Sequence, residues 1–176
     1  NGQVKEYYDN GILKFEGKYL NGERNGKGKE YNQYDGKIKF EGEYLNGERN
    51  GKGKEYYDNG ELEFEGEYLN GKRNGKGKEY YDNGGIKFEG EYINGKRNGK
   101  GKEYNKNGKL IFEGEYLNGI KWNGKRKEHY LNGELMFEGE YLKGERNGKG
   151  KEYNYEIKKG NGKGKEYDSE GKLIFE

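Results

Sequence analysis

The sequence predicts an all-β chain, an elongated single-layer antiparallel β-meander of repeated β-hairpins that runs as an open ribbon. Three observations predict it. First, the unit Phe-Glu-Gly-Glu-Tyr-Leu-Asn-Gly recurs with small changes from Phe15, Phe40, Phe64, Phe88, Phe112 and Phe137, at intervals of 25, 24, 24, 24 and 25 residues. Second, apolar and charged residues alternate inside each copy with the period of a half-buried strand. Third, Asn-Gly pairs punctuate the strand-like runs, the strongest short-range hairpin signal.

Taken in chain order, the elements are two per repeat. Each Phe-led strand is followed by Gly-Lys-Gly-Lys-Glu-Tyr or a variant of it. The aromatic of that second strand falls at Tyr7, Tyr31, Tyr56, Tyr80, Tyr104, His129, Tyr153 and Tyr167. The last interval is only 14 residues, so the array is expected to become irregular near 154–162. The whole of 1–176 thus reads as a single array of about seven units of roughly 24 residues. Two strands per unit at ~4.8 Å spacing give a rise of about 10 Å per repeat and a twisted ribbon roughly 70 Å long. Its open terminal strands favour end-to-end pairing.

The third copy shows the pattern. Along Leu62-Glu63-Phe64-Glu65-Gly66-Glu67-Tyr68, the residues Leu62, Phe64, Gly66 and Tyr68 share one face and the three glutamates the other. A two-residue Asn59-Gly60 turn would set Tyr57 opposite Leu62, Tyr56 opposite Glu63, Glu55 opposite Phe64, Lys54 opposite Glu65, Gly53 opposite Gly66 and Lys52 opposite Glu67. Opposite charges then meet on the polar face, worth roughly 0.2–1 kcal/mol a pair. The paired glycines leave a slot beside Phe64 and Tyr57 for rings of the next repeat. Glu55 falls on the apolar face, where it reaches either a turn amide or the sheet rim. The other connection, Leu69 to Gly75, carries Asn-Gly at both ends and reads as a five- or six-residue loop.

Composition bounds the function. Only 27% of residues are hydrophobic and 39% are charged, which alone would suggest disorder, but the aromatics make up 15% and are periodic. With 35 glycines and few aliphatics, burial must come from stacked rings. The 35 basic and 33 acidic residues balance to a net charge of +2, which argues against a nucleic-acid partner. Absence of Cys removes disulfides and thiolate-bound metal, and absence of Pro suits unbroken strand pairing. There is no signal peptide and no apolar run near 18 residues, which favours the cytoplasm. The chain opens in mid-repeat and is expected to be an excised or mature fragment.

The spacing Phe-x-Gly-x-Tyr-x-x-Gly-x-x-x-Gly-x-Gly stands at Phe64, Gly66, Tyr68, Gly71, Gly75 and Gly77, and again from Phe40 and from Phe88. It resembles the MORN repeat (membrane occupation and recognition nexus). The segment Gly-Lys-Gly-Lys-Glu-Tyr-Tyr-Asp-Asn-Gly looks like the variant in bacterial antitoxin-like MORN proteins. The resemblance implies an antiparallel β-ribbon that serves as a protein-interaction scaffold, often dimeric, with phospholipid contact in some members and no catalytic residues. The copy from Phe112 departs from its siblings. It has an extra loop residue, with Trp122 in the loop, and Arg126 and His129 replace Gly and Tyr.

Two candidate surfaces follow. The ring row Phe40, Tyr44, Phe64, Tyr68, Phe88, Tyr92, Phe112 and Tyr116 serves as inter-repeat packing and also as a groove for a protein partner, since a single layer leaves one face uncovered. Trp122 reads either as a contact anchor or as a cover for the ribbon edge. The loops holding Lys72, Arg73, Lys76, Lys96, Arg97 and Lys100 read either as a basic stripe toward anionic phospholipid or another polyanion or as a solvated face, the reading favoured because glutamates on the adjacent strand lie within a Debye length of ~8 Å and cancel much of the field. Partners are therefore a protein, including a second copy of the chain, or an anionic membrane surface. No cofactor is expected. A lone His with no Cys argues against zinc, and the Asp-Asn-Gly turns match no calcium loop. The same lone His has no nucleophile neighbour, so no enzyme is expected.

Overall fold

A computed structural model describes residues 1–130, 133–153, 166–167 and 173–175. The expected irregularity at 154–162 lies outside the described residues. The chain falls into two compact units, 1–96 and 97–176.

In the first unit, eight strands follow one another as antiparallel hairpins: β1 (Gly2–Tyr7), β2 (Leu13–Leu20), β3 (Glu23–Tyr31), β4 (Ile38–Leu45), β5 (Glu48–Tyr56), β6 (Leu62–Leu69), β7 (Lys72–Tyr80) and β8 (Ile86–Ile93). In the second, β9 (Lys96–Tyr104), β10 (Leu110–Leu117), β11 (Ile120–His129), β12 (Leu135–Leu142) and β13 (Glu145–Glu152) do the same, and β14 (Glu166–Tyr167) pairs with β15 (Leu173–Phe175). The fold is an all-β, single-layer meander with an open sheet.

The register of the third copy agrees with its sequence over the strand centres: Lys52 opposes Glu67, Gly53 opposes Gly66, Lys54 opposes Glu65 and Glu55 opposes Phe64. It departs at the turn. A bulge at Glu63 sets Tyr56 opposite Leu62. The turn itself spans three residues, Asp58-Asn59-Gly60, closed by Tyr57 N–H to Glu61 O at 2.9 Å and Gly60 N–H to Tyr57 O at 2.8 Å. Only Gly60 has a positive φ, 88°. Asn59 Oδ1 instead accepts from Glu61 N–H at 2.9 Å, the local side-chain bond that steers Asn into turns.

The second connection is the tight one. Leu69 opposes Lys72, so Asn70-Gly71 is a two-residue turn, with φ of 48° and 75°. Both residues are left-handed, as a primed hairpin turn requires. The expected long loop is therefore strand. Lys72, Arg73 and Lys76 lie in β7, and Lys96, Arg97 and Lys100 in β9. The spare residues of that segment are taken up by a bulge: between Tyr68↔Arg73 and Gly66↔Gly77, β7 has more residues than β6, and Gly75 turns there with φ 91°.

The core is a row of rings. Phe15, Phe40, Phe64, Phe88, Phe112 and Phe137 are completely or almost completely buried, and Tyr44, Tyr68, Tyr92, Tyr116 and Tyr141 nearly so. Phe15, Phe40 and Phe64 each meet the Tyr of their own strand and the Tyr of the next Phe-led strand edge-on. Phe40, for example, lies 5.6 Å from Tyr44 and 5.2 Å from Tyr68. Such geometry adds about 0.5–1.5 kcal/mol per pair beyond burial. The glycine slot exists but holds a different ring from the one expected. The Phe64 ring covers its own Gly66 and the facing Gly77, while Tyr57 reaches away to donate to the Tyr80 carbonyl at 2.7 Å.

Candidate functional site

The ring face carries more than rings. Glu55 opposes Phe64, and Arg73 opposes Tyr68, so both side chains share the apolar side of the sheet. There the arginine lies flat as a lid. Arg24, Arg49, Arg73 and Arg146 hold their guanidinium carbons 4.1, 4.0, 4.1 and 4.0 Å from the ring centres of Phe15, Phe40, Phe64 and Phe137. A planar, weakly hydrated cation suits this position, and an ammonium suits it less.

Each lid is tied down by carboxylates. Arg24 reaches Glu6 at 3.0 Å and Glu30 at 3.2 Å, and Arg49 reaches Glu30 at 2.6 Å and Glu55 at 2.9 Å. Arg73 takes the other oxygen of Glu55. Arg146 reaches Glu128 at 2.7 Å and Glu152 at 2.5 Å. Within the first unit this gives an unbroken ladder, Glu6–Arg24–Glu30–Arg49–Glu55–Arg73. Glu55, which the sequence left between two destinations, is a rung of it. Tyrosine hydroxyls complete the rungs, Tyr44 donating to Glu30 at 2.8 Å and Tyr116 to Glu103 at 2.8 Å. Among the described residues Tyr68 is the exception, a buried hydroxyl without a hydrogen-bond partner.

The electrostatics follow from this enclosure. Burial alone would raise the Glu30 carboxyl, but the hydrogen bond and charge of Arg49, the Tyr44 hydroxyl and Arg24 outweigh it and hold it below the usual carboxylate range. Burial and the neighbouring Glu30 charge push the Tyr44 hydroxyl up. On the opposite face, burial and the bond to Glu16 raise Tyr31 to about 12. There Tyr31, Tyr56 and Tyr80 donate to Glu16, Glu41 and Glu65, each at 2.6 Å.

The sequence-named sites are therefore redistributed. The ring row from Phe40 to Tyr116 is core, packed against glycine slots and capped by arginine lids or, at Phe112, by Lys121. What solvent meets on that side is the Arg–Glu–Tyr ladder. Arg73 and Arg97 belong to this layer, Arg97 pairing with Glu103 at 3.1 Å, and so leave the basic stripe. Lys72, Lys76, Lys96 and Lys100 stay exposed. Trp122 is half-buried within β11, not in a loop. The ladder was missed because its Glu and Arg are indistinguishable, by residue type, from the solvated charges around them. The signal was their register opposite Phe and Tyr.

The copy at Phe112 breaks the pattern. Lys121 takes the lid position, opposing Tyr116, with its ammonium 5.5 Å from the Phe112 ring centre. Arg126 stands where β7 has Gly77, and no side chain fits under the preceding Phe at that site. β11 accommodates it by keeping the usual register with β12, where Arg126 opposes Gly139, while slipping two residues against β10, where Gly124 opposes Gly114. A two-residue slip preserves the faces, and it restores a glycine pair. Trp122 is the residue left unpaired in that register, between Glu115↔Asn123 and Tyr116↔Lys121.

Family models match most of the chain. The MORN repeat matches residues 15–33, 40–61, 64–86, 88–109 and 137–154, and the MORN repeat variant matches 1–21 and 122–143. The chain belongs to the MORN-repeat family. That family is associated with binding to proteins and membrane lipids and is generally non-catalytic. The matches stop at 109 and resume at 122, bracketing the start of the divergent copy. They do not distinguish an antitoxin-like branch. No curated protein matches the chain.

Proposed function

We propose that the chain is a non-catalytic scaffold that presents its Arg–Glu–Tyr ladder to a protein partner. One observation carries this: the ladder is a repeated polar layer, fixed by bridging ion pairs, over a buried ring row. Preorganised side chains lose little freedom on binding, which is how a flat surface gains affinity. Arginine and tyrosine are also the residue types that anchor protein interfaces.

Photo-crosslinking tests it. A crosslinking residue at Glu63, on the ladder side within 3.6 Å of Arg73, should capture a specific partner from native extract, while one at Lys54 on the opposite face should not. A strictly monomeric chain that captures nothing at Glu63, or a partner captured only at Lys54, rejects the reading.

A second reading has its own observation. At the tight turns Leu69 and Ile93 are 49% and 50% exposed, and Lys72 and Lys96 stand beside them, a pairing that suits an anionic bilayer surface. Against it, Glu23 and Glu48 hold the corresponding place beside Leu20 and Leu45. Sedimentation with anionic vesicles at low salt decides: no recovery of the chain eliminates the lipid surface.

A further inference from the structure

The ladder shows what its cations require. Arg24, Arg49 and Arg146 each bridge two carboxylates, one from the preceding second-type strand and one from their own strand. The carboxylate from the same strand is the residue opposite the preceding Phe: Glu30 opposite Phe15, Glu55 opposite Phe40, Glu152 opposite Phe137.

The slip of β11 removes that second carboxylate for Lys121. The residue opposite Phe112 is Arg126. Glu128 moves on to oppose Phe137, where Tyr141 and Arg146 occupy its two oxygens. Among the described residues Lys121 keeps only Glu103, at 3.1 Å. The Arg126 side chain makes no hydrogen bond among the described residues. It has one ion pair, Nε to Glu128 Oε1 at 3.6 Å, and its guanidinium lies 5.1 Å from the Tyr141 ring centre. In the sibling copies a Phe–Tyr ring contact spans this place, as between Phe64 and Tyr92 at 5.3 Å. Among the described residues Phe112 and Tyr141 make none. Burial and the nearby Arg126 and Arg97 charges depress the Lys121 ammonium against the pull of Glu103. Lys121 thus lies over Phe112 with one rung missing, and Arg126, the residue opposite Phe112, is near enough for its charge to act on Lys121.

We propose that Lys121 and Arg126 form a notch that receives a carboxylate side chain from an acidic segment of a partner protein, which completes the ladder as Glu30 and Glu55 complete it elsewhere. The ligand chemistry is set by the chain's own template, a carboxylate shared by two cations above a phenylalanine. Arg126 offers a planar fork of donors and Lys121 a point charge, and at 35% and 22% side-chain exposure both are accessible yet partly shielded from salt. The notch rests on the scaffold reading only in taking a protein as its ligand.

The test uses the full chain and tetraglutamate peptide, with tetraglutamine and inorganic phosphate as comparison probes. Calorimetry measures affinity. Trp122, the only tryptophan and the neighbour of Lys121, supplies a fluorescence signal. Tetraglutamate should bind saturably and tetraglutamine should not. Arg126→Gln and Lys121→Gln should each weaken binding about tenfold, as expected for a lost charge-assisted hydrogen bond, and Lys54→Gln on the other face should leave it unchanged. Unaltered affinity in both notch variants, or no binding by the folded wild-type chain at low salt, overturns the proposal. Phosphate binding without tetraglutamate binding overturns it in favour of a phosphorylated ligand. If the Glu63 crosslinker still captures its partner when Arg126 is Gln, the notch fails and the scaffold reading stands.

Discussion

A Cβ added to Gly66 would lie 2.7 Å from the Gly77 Cα, from the Lys76 carbonyl oxygen and from Phe64 Cζ. Two of those neighbours are backbone and the third is a fully buried ring, so none yields cheaply. Gly66 has no positive φ, so its requirement is purely one of space. Gly66→Val should therefore destabilise the chain by about 1–3 kcal/mol, the range for overpacking a filled core, read as a lowered urea midpoint. An unchanged midpoint rules out the slot. The glycine pairing was legible from alternation and register alone. The identity of the ring was not, because the twist that lays Phe64 back over its own strand is a three-dimensional property with no mark in the residue spacing. Arg126 tests the same rule naturally: a side chain at the glycine position coincides with a strand that has shifted to place another glycine there.

At the scale of the element, the two hairpin types exchange the roles that their sequences suggest. Both carry Asn-Gly. At Asn70-Gly71 the pair forms the whole turn, whereas at Asn59-Gly60 the preceding Asp58 joins it and only glycine is left-handed. The doublet announced a hairpin in each case, and the flanking residues decided its length. Once the strands are set, their register builds the ladder, and the ladder carries a pH dependence. The Glu30 carboxyl lies lower in the folded chain than its ordinary 4.5. The native state then binds fewer protons than the unfolded one below neutrality. Its contribution is fully present above the unfolded value and is lost as pH falls through the folded one. Glu6 and Glu128, also held low by Arg24 and Arg146, act in the same direction. Thermal midpoints measured from pH 7 down to 3 should fall, and Glu30→Gln should fall less steeply over the acid range while starting lower. A parallel decline in both proteins would remove Glu30 from the ladder's stability.

At the scale of the molecule, each strand hydrogen-bonds through its backbone to its sequence neighbours, each Arg–Glu rung reaches no further than two strands, and each ring's partners lie in its own repeat or an adjacent one, among the described residues. Stability in such a chain approximates a sum of repeat terms and nearest-neighbour interfaces, with no distant contact to spread a local defect. The consequence separates this architecture from a globular domain of equal length. Native-state hydrogen exchange on Gly66→Val should show amides of β6 and β7 opening most, with β5 and β8 following, because Phe64 contacts Tyr92 and Gly53 lies beside Tyr68. Amides of β11 to β13 should keep their wild-type protection, since the ring and glycine-slot contacts described for Phe64, Gly66 and Gly77 lie within β6 to β8. A uniform loss of protection across all thirteen strands would mean that the chain unfolds as one cooperative body, and the repeat would then be a feature of the sequence without being a unit of stability.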